Sequence, residues 1–182
     1  ETKSLDVVYV ESNLSGKEPF KVLVRNLDDS QEAANLLAKI RENLVKLVEY
    51  TSNEKNFKEN KKEYEEYKEA LIRMKNNFRP DNISESSPNN NYTSYSINKG
   101  EKIVFCIRSK TSGELVDINT MMFVAIHEMG HLMSESIGHT QEFWKNMKYL
   151  LHRGEEIDIY NHKNYSEDSV EYCGTMITDT PY

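Results

Sequence analysis

Cysteine is nearly absent from this chain: Cys106 and Cys173 are the only two, and neither belongs to a C-x-x-C pair of the kind that builds zinc or redox sites. They are compatible with one disulfide or with two buried thiols, so they leave the redox compartment open. No stretch reaches the roughly 18 to 20 apolar residues that a bilayer span needs, and no membrane contact is expected within these residues. A signal-peptide pattern is also missing, and the chain opens at Glu1 rather than Met. That start reads as a processed or truncated chain and leaves open an upstream targeting or membrane segment, while an intracellular location is favoured. Basic charge is in deficit, with 23 Lys and Arg against 30 Asp and Glu for a net charge of −7. The chain thus lacks the electrostatic footprint of an autonomous nucleic-acid binder, and direct DNA binding is not expected.

What is present fits one domain over residues 1–182, long enough for a single core. Apolar residues make up 37% and charged residues 29%, the balance of a globular protein with long solvated helices. Residues 6–11 and 20–25 alternate around Val8 and Val10 on either side of Ser15-Gly16, which predicts an N-terminal β-hairpin within 1–27. Helices fill 28–79. The first has Asp28, Asp29 and Ser30 as candidate caps and Ala33, Leu36, Leu37, Ile40, Leu44 and Leu47 at helical spacing. The second, over 54–78, carries a thin stripe of Phe57, Tyr64, Tyr67, Leu71 and Met74 on a charged, solvated body. Residues 80–93, with two prolines and a run of asparagines, read as a flexible loop with little to bury.

The chemistry is concentrated in 94–182. A second hairpin is expected from residues 94–98 and 102–108 around Lys99-Gly100. Asn119 can cap a helix from Thr120 to about Ser136, and a further helix follows Gly138 from Thr140 to about His152. Inside the first helix stands His127-Glu128-Met129-Gly130-His131, an H-E-x-x-H pattern. Two imidazoles four residues apart lie on one helix face, about one turn apart, where both can bind a single Zn²⁺. Glu128 then projects beside the metal, where a carboxylate can act as general base on a bound water. The surrounding Met121, Met122, Val124, Ala125 and Ile126 are apolar, so unpaired imidazoles and a carboxylate there would be costly without a cation. His139, behind the Ser136-Ile137-Gly138 break, is the best third ligand, with Glu135 the alternative. Gly130 suggests that another element approaches the helix closely.

His127 to His131, followed by Gly138-His139-Thr140-Gln141-Glu142-Phe143-Trp144, resembles the H-E-x-x-H…G-H-x-x-x-F-W signature of the WLM and SprT-like zinc metallopeptidases, of the zincin clan. The resemblance covers about thirty residues. It implies His127, His131 and His139 as zinc ligands, Glu128 as the catalytic residue, and Phe143 and Trp144 packed beneath the third histidine. It also implies activity on proteins crosslinked to DNA.

The expected protein is therefore an α+β zincin-like domain with a small, mostly antiparallel sheet, an active-site helix and backing helices. Its expected function is that of a metalloendopeptidase with one Zn²⁺ per chain and a protein or peptide substrate. The substrate would lie along the edge strand at residues 94–98. Tyr160, His162, Tyr165, Tyr172 and Tyr182 are open candidates for stabilising the oxyanion, and Met176 reads as core filler or as a side chain under the zinc. A catalytically inactive, zinc-stabilised scaffold that binds a partner protein is the alternative.

Overall fold

Alternating valines make the first sheet: β1 (Val7–Glu11) and β2 (Lys21–Arg25) pair antiparallel with Val8 opposite Val24 and Val10 opposite Val22. The structure is a computed structural model and describes residues 6–88 and 93–182. Val22 and Val24 are buried under α1 (Ser30–Ser52), whose Ala33, Leu37, Ile40, Leu44 and Leu47 form its apolar face. Burial of that face, rather than intrinsic propensity, carries such a helix. Asp29 stands at its N-cap but makes no capping bond, because its carboxylate is taken by Arg108.

The charged segment expected as one helix over 54–78 is divided. Asn53 accepts a bond from the amide of Lys55 and starts a separate 3-10 turn, Glu54–Phe57, before α2 (Lys61–Asn77) begins. The break lets Phe57 fold back to pack against Tyr50 and stack on Tyr64 at 4.7 Å. Only Tyr64, Leu71 and Met74 of α2 are buried, so its Lys and Glu residues form the solvated face read from the sequence.

The flexible loop expected at 80–93 is corrected by the structure, since β3 (Ile83–Glu85) runs through it, fully buried and parallel to β5 (Lys102–Phe105). Residues 89–92 lie outside the described residues. Glu85 is the reason a polar segment can be buried. Its carboxylate accepts from Arg108 Nε at 2.6 Å and from the Arg25 amide at 2.7 Å, while Arg108 also donates to Asp29. The ion pair therefore ties β2, β3, the start of α1 and the segment after β5 at one buried point.

β4 (Tyr95–Ile97) pairs antiparallel with the other side of β5, giving a mixed sheet ordered β3-β5-β4 with β4 at an edge. Two helices follow, α3 (Ile118–Met133) and α4 (Gln141–Glu156). The α3 cap is Asp117, bonded to the Thr120 amide, and not Asn119, which instead exchanges hydrogen bonds with Asn161. α3 is buried along nearly its whole length and packs on α1, α2 and α4, which makes it the central element. The chain closes with a hairpin of β6 (Val170–Tyr172) and β7 (Thr175–Ile177), and a Cys106–Cys173 disulfide fastens it beside β5.

Replacing Glu85 by Ala should strip Arg108 of one of its two carboxylate partners inside the fold, at a cost of about 3 kcal/mol. The expected result is a clear fall in the urea midpoint with an unchanged slope. An unchanged midpoint would show that the buried pair does not hold the sheets together.

Candidate metal centre

One face of α3 carries His127 and His131, and the turn after α3 returns His139 to them. The potential ligand atoms of the three imidazoles all lie within 4.8 Å of one another, and the Nε2 atoms of His127 and His139 are 3.1 Å apart. Gly138 makes the return possible, with φ at +86° in the left-handed region that suits a residue without a side chain. Glu135, the alternative ligand, points elsewhere: it is exposed and pairs with Arg73 at 2.7 Å.

The turn is fastened from two sides. Glu142, in the first turn of α4, accepts from the amides of Glu135 and Ser136 and from the Ser136 hydroxyl. These bonds hold its carboxyl down at about 2, so it stays ionised at any ordinary pH. Lys99, in the β4–β5 turn, donates to the carbonyls of His131, Ser134 and Ser136, at the end of α3 and in the turn that follows it. Beneath the imidazoles lies Phe143, fully buried, with its ring 4.3 Å from that of His131 and 4.9 Å from that of His127. A Cβ at Gly130 would come within 3.0 Å of this ring, so the glycine sets how closely α4 approaches. Trp144 is half-buried: it packs against the core and also lines a cavity beside His139.

Burial controls the charge states. It lowers His127 to about 3 and His131 to about 4, with the neighbouring imidazoles adding to the shift, so both rings are neutral at pH 7, the form that ligates a metal. Burial alone lifts the Glu128 carboxyl to about 8. Glu128 is 4% exposed and has no hydrogen-bond partner among the described residues, a costly arrangement that a cation next to it would relieve. Two buried neutral imidazoles, a third imidazole converging on them and an orphan carboxyl group therefore suit a divalent, nitrogen-loving ion such as Zn²⁺.

Two cavities meet at His127, Glu128 and His139. The larger, about 490 Å³, follows β4 from Ser94 to Ser96 and reaches His131, Lys99 and Ile137. The smaller, about 280 Å³, is bounded by Phe123, Val124, Trp144, Tyr172 and the β7 segment from Thr175 to Asp179. Of the five tail residues considered for the oxyanion, only Tyr172 lines these cavities. Its hydroxyl donates to the Cys106 carbonyl and meets Ser94 Oγ, so it braces the cleft wall. Tyr160 and Tyr165 are buried beside Phe123, and His162 packs on Tyr182. Met176 is neither core filler nor beneath the histidines: it is 54% exposed on the wall of the smaller cavity. Its position in a short terminal hairpin leaves it no core to enter, and nothing in the local sequence signals this.

An H-E-x-x-H helix, a third histidine returned by a glycine turn and a cleft along an edge strand together define a metalloprotease-like domain. Residues 68–180 match the WLM domain, and the chain belongs to that family. It is 33% identical over 178 residues to an uncharacterised protein of Acanthamoeba polyphaga mimivirus, spanning 98% of this chain and 85% of that protein. A second uncharacterised protein, from Invertebrate iridescent virus 6, is 37% identical over 79 residues, 40% of this chain and 44% of its own. Among solved structures, Wss1 from Saccharomyces cerevisiae aligns with 72% of this chain and 83% of its own at 19% identity, with a TM-score of 0.49.

If the imidazoles form the metal site, His139→Ala should abolish or strongly weaken binding of one zinc per chain. Glu142→Ala, which frees the turn without touching a ligand, should weaken it by about tenfold. Equilibrium titration with zinc against a competing chelator checks both. An affinity indifferent to His139→Ala would remove this residue from the site.

Proposed function

We propose that this chain is a zinc-dependent endopeptidase, with His127, His131 and His139 holding one Zn²⁺ and Glu128 acting as general base. The observation that carries the reading is Glu128 itself, a buried carboxyl group without a hydrogen-bond partner among the described residues, set beside three convergent imidazoles at the meeting point of two open cavities. Zinc bound at such a site polarises a scissile carbonyl and lowers the pKa of bound water.

The chain's own groups supply the remaining steps. β4 stands at the edge of its sheet and its start lines the larger cavity, so an extended segment of substrate can lie along it. Such docking selects unfolded or loop segments. Glu128 takes the proton from the attacking water and delivers it to the leaving amine nitrogen, one carboxylate serving as base and then as acid. The neutral imidazoles of His127 and His131 keep a lone pair each for the metal, and Phe143 packs against their rings from below.

His139 is exposed and the cavities open onto it, which supports an accessible coordination position over the closed four-ligand site of a structural scaffold. Proteins crosslinked to DNA fit this reading as substrates recognised through their polypeptide. The net charge of −7 argues against the domain gripping the nucleic acid itself.

Glu128→Gln separates catalysis from metal binding. The variant should keep its zinc while peptide hydrolysis falls by about 10²-fold or more. Hydrolysis that survives at the original rate with zinc still bound would exclude Glu128 as the base.

A further inference from the structure

The two cavities that flank Glu128 differ in charge, and the difference bears on which side chain each can accept. The larger contains Lys99, whose ammonium is held by three carbonyls. The smaller has Val124, Trp144, Met176 and Ile177 among its apolar walls, with the exposed Asp179 on its lining. Among the described residues no cation or hydrogen-bond donor reaches the Asp179 carboxylate; every other carboxylate lining either cavity belongs to the catalytic Glu128. The tail that supplies this wall is acidic throughout, with seven carboxylates against Lys163 alone from Gly154 to Tyr182.

We propose that the smaller cavity is a specificity pocket for a lysine or arginine next to the scissile bond. The inference rests on the peptidase reading and names its substrate class. A long basic side chain has the two parts the cavity matches: an apolar stem to lie against Trp144 and Met176, and a cationic head to meet Asp179. The indole beside the path of the stem favours a cation as well. A glutamate in the same place would set its charge against Asp179. A leucine would fill only the apolar part. The placement next to the scissile bond follows from the walls the cavity shares with Glu128 and His139. On the other side of the bond, Lys99 gives no reason for a basic residue. The preferred substrate is thus an extended, lysine- or arginine-bearing segment, drawn toward an acidic domain by its own charge.

Cys173, in the turn of the terminal hairpin, is bonded to Cys106, and Tyr172 donates to the Cys106 carbonyl, so β6 and the turn are anchored beside β5, and β7 is held through its pairing with β6. A mobile wall would give weak selectivity, whereas one pinned at Cys173 can discriminate.

The test uses zinc-loaded protein and matched peptides that differ at one position on each side of the cleaved bond, carrying Lys, Arg, Leu or Glu. Lys and Arg on one side only should raise kcat/KM over Glu by about five- to tenfold, the scale of a partly exposed ion pair. Asp179→Asn should bring the Lys and Glu peptides to within about twofold, and Asp179→Lys should reverse their order. Equal rates for Lys and Glu peptides, or a preference that survives Asp179→Asn, would overturn the pocket assignment. Fluorescence anisotropy of the same peptides on the Glu128→Gln protein separates the two levels of the account. Binding with the Asp179-dependent preference, combined with no cleavage by the unsubstituted protein, keeps the pocket and removes the peptidase; no binding and no cleavage removes both.

Discussion

A carboxylate and two imidazoles sit on the most buried helix of this protein, and the arrangement around them follows from that placement. Burial on α3 strips these groups of water, and the Glu128 side chain has no hydrogen-bond partner among the described residues. A cation held among His127, His131 and His139 would compensate for what the burial costs. The supporting contacts have a common purpose when viewed from this point. Gly130 admits Phe143 beneath the rings, Gly138 turns the chain back, and Lys99 and Glu142 clamp the turn by its carbonyls and amides. None of these residues would ligate a metal, yet each limits where a ligating nitrogen can stand.

The same helix divides the cleft. On one side lies the edge strand β4, and on the other the disulfide-anchored hairpin lines the cleft with side chains. Backbone pairing is indifferent to sequence, whereas a walled pocket is not. A protease built this way would accept many extended segments and choose the cut by the residue in the pocket. The acidic surface adds long-range attraction for basic polypeptide and repulsion from the phosphate backbone, which separates recognition of protein from recognition of nucleic acid.

The local parts of this arrangement were legible in the sequence. The spacing of His127 and His131 on one helix face, the apolar residues around them, the glycine before His139 and the periodicity of α1 are all short-range signals with a direct structural meaning. Long-range features were not legible. Glu85 looks like a loop residue until Arg108 and Arg25 arrive from segments far along the chain, and only then can Ile83–Glu85 be a buried strand. Asp29 gave up its cap role to the same arginine. Asn119 lost its own to Asp117, two residues earlier. Met176 was read as core because methionine usually packs inside, but its place depends on a hairpin whose anchor, Cys106, lies 67 residues away. Asp179 drew no notice for the same reason, since an exposed aspartate acquires meaning only from the cavity it borders.

The central claim is that the three histidines leave a metal position open for catalysis. A crystal structure of the zinc-loaded protein, with the ion located by its anomalous signal, tests it most directly. The account predicts one zinc bonded to nitrogens of His127, His131 and His139 at about 2.0–2.1 Å, with a water as fourth ligand next to Glu128. A fourth protein ligand closing the sphere, or zinc bound away from these histidines, would contradict it.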